Sequence, residues 1–490
     1  MSRSYERLMG SLGRGMFFRP ERQRVRELLS RDARPKLVVD GRQFPLFDIS
    51  MNGLSFLFPD NYPSWAVGDE TDVALLLHEE EVYHGAARVA RIEPGPRKGA
   101  RIGLGLVGGF LDLPAIRRKD DERRLEQGLL HGPDPLESKV PHEYQDVVMK
   151  ILHFYQFHRR LLDETENRYH LEGADESVIN RLTVYAADAL RGPYEELQKE
   201  ASRVAYSFVG DRETLLAAKE YTENVLVPVT LCAPLNRRAY TKPLGYPGDY
   251  QVMLYYYANA FEGDSVFAKV LHKFAVEHPL SNGVRTRKDL MIEMMDGEHQ
   301  RVIERDGDDA KFRVANLGCG PAREVSDFIS TKKSWPGRVV WTLIDQEERA
   351  LSVAYRTSQA EISKWGSAGE LFLLNLSFVQ LLSEGVPFQE PGTQNFVFST
   401  GLFDYIRESR AQTLIRALYD LLADGGLLAI GSARAPQEMF WSAEFLVDWT
   451  ILYRTRDEML RLAALLPESA EVDVVLEPGE AYYFLTIRKR

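Results

Sequence analysis

Gly318 and Gly320 bracket a single residue, Cys319, between a mostly apolar run at 314–317 and a segment at 321–325 that is able to open a helix. Glycine takes positive φ and carries no Cβ, so the backbone here can press against a ligand while the helix behind it offers unpaired N–H groups. That is the chemistry of a nucleotide cradle. A dinucleotide site would want a third glycine where this chain has Arg323, so that reading weakens. Residues 338–345 read as a second strand ending in Asp345, a carboxylate placed to accept both hydroxyls of a ribose. A nucleoside satisfies both features. Cys319 reads as a small buried filler of the turn rather than a nucleophile.

The elements that must position these residues alternate. Residues 370–374 and 395–399 read as short apolar strands, 407–422 as a periodic helix, and 425–431 as a strand after a Gly-Gly turn. Two further strands, 471–477 and 481–487, flank Pro478 and Gly479 as a hairpin. The glycine turn, the acidic strand end and the closing hairpin together resemble the class I S-adenosylmethionine-dependent methyltransferases over residues 285–490. The resemblance implies a parallel sheet finished by an inserted antiparallel strand, with S-adenosylmethionine as cofactor. It implies Gly318, Cys319, Gly320 and Pro321 around the methionine half, Asp345 and Gln346 at the ribose, and Asn375, Leu376 and Ser377 at the adenine, with Thr400 on the neighbouring strand end.

Toward the other end the text is β-like. Candidate strands at 36–41, 43–49, 54–58, 72–77, 82–92 and 101–106 alternate with turns at Asp40-Gly41, Asn52-Gly53 and Pro94-Gly95, a pattern for a small barrel. Arg22 and Arg26 stand before it in an R-x-x-x-R spacing, and Asp48, Ser50 and Gly53 sit in its second turn as D-x-S-x-x-G. The first spacing is common, and Arg3 and Arg7 match it too. The pair of motifs in a β context resembles the PilZ domain over residues 18–116, which implies cyclic di-GMP as a regulatory ligand. Arginine forks suit phosphate and guanine O6/N7, so Arg22 and Arg26 would clamp it while Asp48 and Ser50 read a base edge. Gly53 would serve close backbone approach or a turn with positive φ.

Residues 117–142 have linker character, mixed charges followed by turn residues, and 143–284 read as helical. Residues 242–250 place two prolines, two glycines, Asp249 and two phenols, Tyr246 and Tyr250, between helices, so they should form a rigid loop. With the segments at 317–324, 401–405 and 448–454, this loop resembles the bacterial methyltransferases of 3-hydroxypalmitic acid methyl ester biosynthesis. Pro247 departs from that pattern, and a PilZ module is not a usual part of it. The resemblance implies an acceptor pocket drawn from Tyr246, Asp249, Tyr250, Asp404, Tyr405, Tyr453 and Arg454. Methyl transfer from a sulfonium is an in-line displacement, so alignment and exclusion of water are the protein's main tasks. A fatty carboxylate is already ionised and needs no base; for a hydroxyl or amine acceptor, Asp404 or Asp249 would be the first candidates. Arg454 would pair with a carboxylate substrate, or would form an ordinary salt bridge.

The expected architecture is therefore an all-β barrel after an arm at 1–17, then a helical cap, then a Rossmann-like α/β domain. The whole reading is an O-methyltransferase for a small hydrophobic carboxylic acid, responsive to cyclic di-GMP. Two others compete: a nucleotide-sensing effector using the methyltransferase fold as an interaction platform, and a protein or peptide methyltransferase. The 490 residues carry a net charge of -11, which argues against a nucleic-acid polymer as partner. Two cysteines and ten histidines without an H-E-x-x-H spacing imply neither disulfides nor a metal. No run approaches about 18 apolar residues and no signal-like segment opens the chain, so membrane insertion is not expected and a cytoplasmic location is.

Overall fold

A computed structural model describes residues 23–30, 33, 35–58, 65–94, 99–107, 109–131, 139–331, 337–364, 369–376, 392–434 and 440–490. The chain divides into two compact units, Met1–Pro135 and Leu136–Arg490. In the first, β1 (Gln23–Arg24) and the single turn α1 (Val25–Leu28) precede β2 (Lys36–Val39), β3 (Arg42–Ser50), β4 (Gly53–Phe58), β5 (Glu70–Leu77), β6 (Glu80–Pro94) and β7 (Ala100–Leu106). β2 to β7 pair antiparallel in the order β3-β2-β5-β6-β7-β4, and a β3–β4 pairing closes the ring into a six-stranded barrel. Alternation makes it possible: along β5, Val73, Leu75 and Leu77 point inward and are buried, meeting Leu37, Phe56, Val89 and Leu104 in the barrel core.

α2 (Leu113–His131) covers most of the stretch whose composition reads as linker. Its Arg, Lys, Glu and Leu are good helix formers. Asp120 is buried on it and accepts hydrogen bonds from the Ser30 backbone N–H at 2.6 Å and from the Ser30 hydroxyl at 3.0 Å, with His78 Nε2 at 2.9 Å. These contacts dock the helix onto the barrel unit.

The second unit opens with helices: α3 (His142–Leu171), α4 (Glu176–Tyr206), α5 (Arg212–Thr230), α6 (Pro234–Thr241), α7 (Tyr250–Ala258), α8 (Val266–Val276) and α9 (Pro279–Asp306). Their common core includes Tyr144, Tyr155 and Phe267, and Trp441 and Phe445 from far along the chain insert into it. Trp441 Nε1 donates to the Tyr144 hydroxyl at 2.8 Å, so helical cap and sheet share one interior. α9 runs straight through the expected division at 284/285.

The sheet follows: β8 (Lys311–Leu317), α10 (Arg323–Thr331), β9 (Arg338–Asp345), α11 (Glu348–Ile362), β10 (Gly369–Asn375), β11 (Gln394–Ser399), α12 (Glu408–Asp420), β12 (Leu422–Ala433), α13 (Arg456–Arg461), β13 (Glu471–Leu476) and β14 (Tyr482–Arg488). Its order is β10-β9-β8-β11-β12-β14-β13, parallel from β10 to β12, with β14 antiparallel between β12 and β13. This is the strand order of the class I methyltransferase fold. Glu477 shapes the closing hairpin by accepting from the backbone N–H groups of Gly479 and Ala481, both at 2.6 Å. No helix among the described residues is long and apolar enough to cross a membrane.

Candidate active site

In a parallel sheet with helices on its faces, the loops at the carboxyl ends of the strands form the natural crevice. Here β8 delivers Gly318 and Gly320, with φ of 64° and 53°, followed by Ala322 at 47°, a left-handed run that lets the chain turn into α10. A side chain added at Gly320 would meet only open space, whereas one at Gly318 would press on Leu402 at 3.3 Å. Gly318 and Cys319 donate their N–H groups to the Ile344 carbonyl at 2.8 and 3.0 Å. Cys319 is buried, and desolvation pushes its thiol well above the usual range, the state of a packed filler.

Asp345, at the end of β9, accepts the Gly320 N–H on Oδ2 and the Glu347 N–H on Oδ1, both at 2.8 Å. Burial raises its pKa against these backbone hydrogen bonds, and both oxygens keep lone pairs for further donors. The Asn375 side-chain amide donates to the Asp345 and Gln346 carbonyls at 3.0 and 2.8 Å, and Leu376 N–H to the Asp345 carbonyl at 3.1 Å. Gly318, Cys319, Gly320, Asp345, Gln346, Asn375 and Leu376 therefore converge on one sheet end. Pro321 continues the turn, and Thr400 follows β11, whose Ser399 hydroxyl is tied to the Leu317 carbonyl at 2.8 Å. Ser377 lies outside the described residues. The cradle fits a nucleoside: open backbone at one end, an acid at the other.

The loop between α6 and α7 reaches this edge. Burial pushes the Tyr246 phenol up, and the neighbouring charges of Asp345, Glu347 and Asp249 add to the effect. A side chain at Gly248 would strike the Trp449 ring at 2.3 Å, and Trp449 Nε1 donates to the Tyr405 hydroxyl at 2.7 Å. Trp449 and Tyr405 so pack against this loop at Gly248, two residues from Tyr246.

Most other candidates from the sequence have their polar groups taken up by protein partners. Asp249 caps α7, accepting from Gln251 and Val252 N–H at 3.0 and 3.1 Å, and pairs with Arg238 at 2.8 Å. Tyr250 begins that helix beneath the Arg238 guanidinium. Asp404 is buried and accepts from the Ala433 N–H at 2.7 Å and the Ser432 hydroxyl at 3.0 Å; desolvation pushes it up to about 6. Arg454 donates to the Phe403 and Ile406 carbonyls and to Ser432 Oγ, which makes it a brace of the 402–405 turn. Tyr453 keeps a buried hydroxyl with no hydrogen-bond partner among the described residues.

Two residues at this edge escaped the sequence reading. Glu324, at the start of α10, is buried, accepts from the Asn316 amide, and is pushed by desolvation up to about 7. Arg287 on α9 is 6% exposed, and its guanidinium stacks 4.4 Å over the Tyr482 ring. A signal for Arg287 existed: it interrupts the stripe Val284, Met291, Met295, Val302 on the buried face of α9.

In the barrel unit, Asp48 and Ser50 are buried on β3. Asp48 pairs with Arg101 and accepts from the Ser55 hydroxyl; Ser50 Oγ donates to the Gly53 carbonyl at 3.2 Å. Gly53 opens β4 opposite Ser50 and does not take positive φ, so the turn conformation expected of it is absent. Arg26 lies on α1, where its backbone alone is described, and Arg22 is outside the described residues. Among the described residues no group of three or more His, Cys, Asp or Glu side chains is arranged to hold a metal ion.

No family model and no curated protein matches the chain. Among solved structures it is similar to a possible exported protein from Bordetella parapertussis, at 17% identity over 54% of this chain and 87% of that one, with a TM-score of 0.38. It is similar to magnesium protoporphyrin IX methyltransferase from Synechocystis with bound SAH, at 12% identity over 50% and 96%, with a TM-score of 0.34. The N-methyltransferase NodS from Bradyrhizobium japonicum follows at 15% identity over 40% and 94%, with a TM-score of 0.26. The strand order, not these distant likenesses, carries the fold.

Proposed function

We propose that the chain is an S-adenosylmethionine-dependent O-methyltransferase for a small hydrophobic carboxylic acid such as a 3-hydroxy fatty acid, with activity responsive to cyclic di-GMP at the PilZ-like barrel. The observation that carries the enzymatic part is the meeting of the Gly318–Gly320 turn, open at Gly320, with buried Asp345 at the carboxyl ends of β8 and β9. When bound, the cofactor supplies an electrophilic methyl group on a sulfonium. Gly318, Gly320 and Pro321 hold its amino-acid half, Asp345 accepts the ribose hydroxyls, and Asn375 steadies that carboxylate's backbone. Tyr246, Trp449 and Tyr405 cover the edge and exclude water, which strengthens every electrostatic contact beneath them.

Calorimetry with S-adenosylhomocysteine tests this reading. The wild-type chain is expected to bind it, and Asp345→Ala to bind at least about 30-fold more weakly, since removing a partner of buried hydroxyl donors costs ~2 kcal/mol or more. Absence of any wild-type heat would leave the fold an interaction platform. For the barrel, the support is the motif set of Arg22, Arg26, Asp48, Ser50 and Gly53.

A further inference from the structure

Arg287 is a guanidinium buried without a counter-ion in contact. Among the described residues no hydrogen bond or ion pair holds it, although a cation taken from water without a partner costs several kcal/mol. Its surroundings are specific. Gly283, one helical turn earlier, lets α9 approach β14 so closely that a side chain there would overlap the Tyr482 ring at 2.6 Å. That approach sets the guanidinium over Tyr482. On another side lies Gly401, where an added Cβ would come within 3.2 Å of a terminal nitrogen. Tyr257, Asp404 and Tyr405 act on it through space, and so does Glu324, but none is within ion-pair distance. Gly401 adjoins Leu402, the residue against Gly318, so the cation lies at the edge that carries the cofactor cradle.

We propose that Arg287 receives the carboxylate of the acceptor, an assignment that rests on the methyltransferase reading above. A planar fork with unengaged donors in a largely dry site is the arrangement that binds a carboxylate most strongly. Acceptor binding satisfies the guanidinium; the nearby acids, held off at a distance, keep the empty site tolerable. One carboxylate oxygen then forms the new O–C bond to the methyl group as the S–C bond breaks and its electron pair stays on sulfur. No proton moves. The product ester is neutral and no longer pairs with Arg287, which favours its release. Because the ion pair is strongest before transfer, its loss belongs to KM rather than kcat.

The test uses the full chain saturated with S-adenosylhomocysteine and titrated with 3-hydroxydecanoate or its primary amide. Wild type should prefer the acid by about 100-fold, and Arg287→Gln should lose that preference while holding S-adenosylhomocysteine as wild type does. Gly401→Ala, which crowds the fork without removing it, should weaken the acid at least several-fold and leave the amide unchanged. In turnover, Arg287→Gln raises the KM for the acid and leaves kcat within a few-fold. Equal binding of acid and amide by wild type, or undiminished acid binding by Arg287→Gln, overturns the assignment. So does a fall in S-adenosylhomocysteine affinity in Arg287→Gln, which would assign the guanidinium to the cofactor's own carboxylate. If wild type binds no S-adenosylhomocysteine at all, the enzymatic reading fails first and this inference with it.

Discussion

Two buried arginines of the second unit show how little a side chain's type says about its use. Arg454 has its fork filled by the Phe403 and Ile406 carbonyls and Ser432, and it holds a turn together. Arg287 has the same fork with no hydrogen bond or ion pair among the described residues. Buried acids differ in the same way: Asp345 is held by two backbone N–H groups, while Glu324 accepts the Asn316 amide and is pushed by desolvation up to about 7. The folded state therefore binds more protons at Glu324 than the unfolded chain does between the ordinary carboxyl pKa of 4.5 and about 7. Stability from this group is full below that window and falls as pH rises through it. Glu324→Gln keeps an acceptor for Asn316 and removes the ionisation. Urea midpoints should coincide near pH 4.5 and favour the variant by on the order of 3 kcal/mol at pH 8.

At the scale of elements, the loop from Lys242 to Asp249 is rigid because both of its ends are anchored. Lys242 adopts φ 47° as the C-cap of α6, and Asp249 caps α7 while pairing with Arg238. Removing the Asp249 carboxylate leaves two backbone N–H groups and a partly buried guanidinium without their acceptor. Asp249→Ala should lower unfolding stability by about 3 kcal/mol, read from denaturant midpoints, and should loosen Tyr246 over the cofactor edge. A loss confined to turnover, with unchanged stability, would instead mark Asp249 as a base. Hydrophobic spacing revealed most strands within a few residues, since the period of two is local. It misjudged residues 117–131, where mixed charge resembles linker composition, yet Ile116 and Asp120 turn one face of α2 inward.

For the whole molecule, two compact units each carry a candidate ligand site, and their separate cores predict separable folding. A fragment of residues 136–490 should fold and bind S-adenosylhomocysteine within about two-fold of the full chain, since distant, independent sites differ by only ~0.3–0.5 kcal/mol. Cyclic di-GMP should bind only chains that carry the barrel, and Asp48→Ala should weaken it at least several-fold; dependence of the fragment's turnover on the nucleotide would refute the barrel's role. The amino-acid order alone determined the barrel's alternation, the glycine turn, Asp345 at a strand end and the antiparallel closing hairpin. Each is written in neighbouring residues, where sterics and side-chain period act directly. Only the tertiary structure decided that Asp249 and Arg454 are braces and that Arg287 is a buried cation left without a hydrogen bond or ion pair among the described residues. Those roles depend on which distant groups fill a side chain's hydrogen bonds, and Gly401 and the stacking ring of Tyr482 reach Arg287 only once α9 has packed on the sheet.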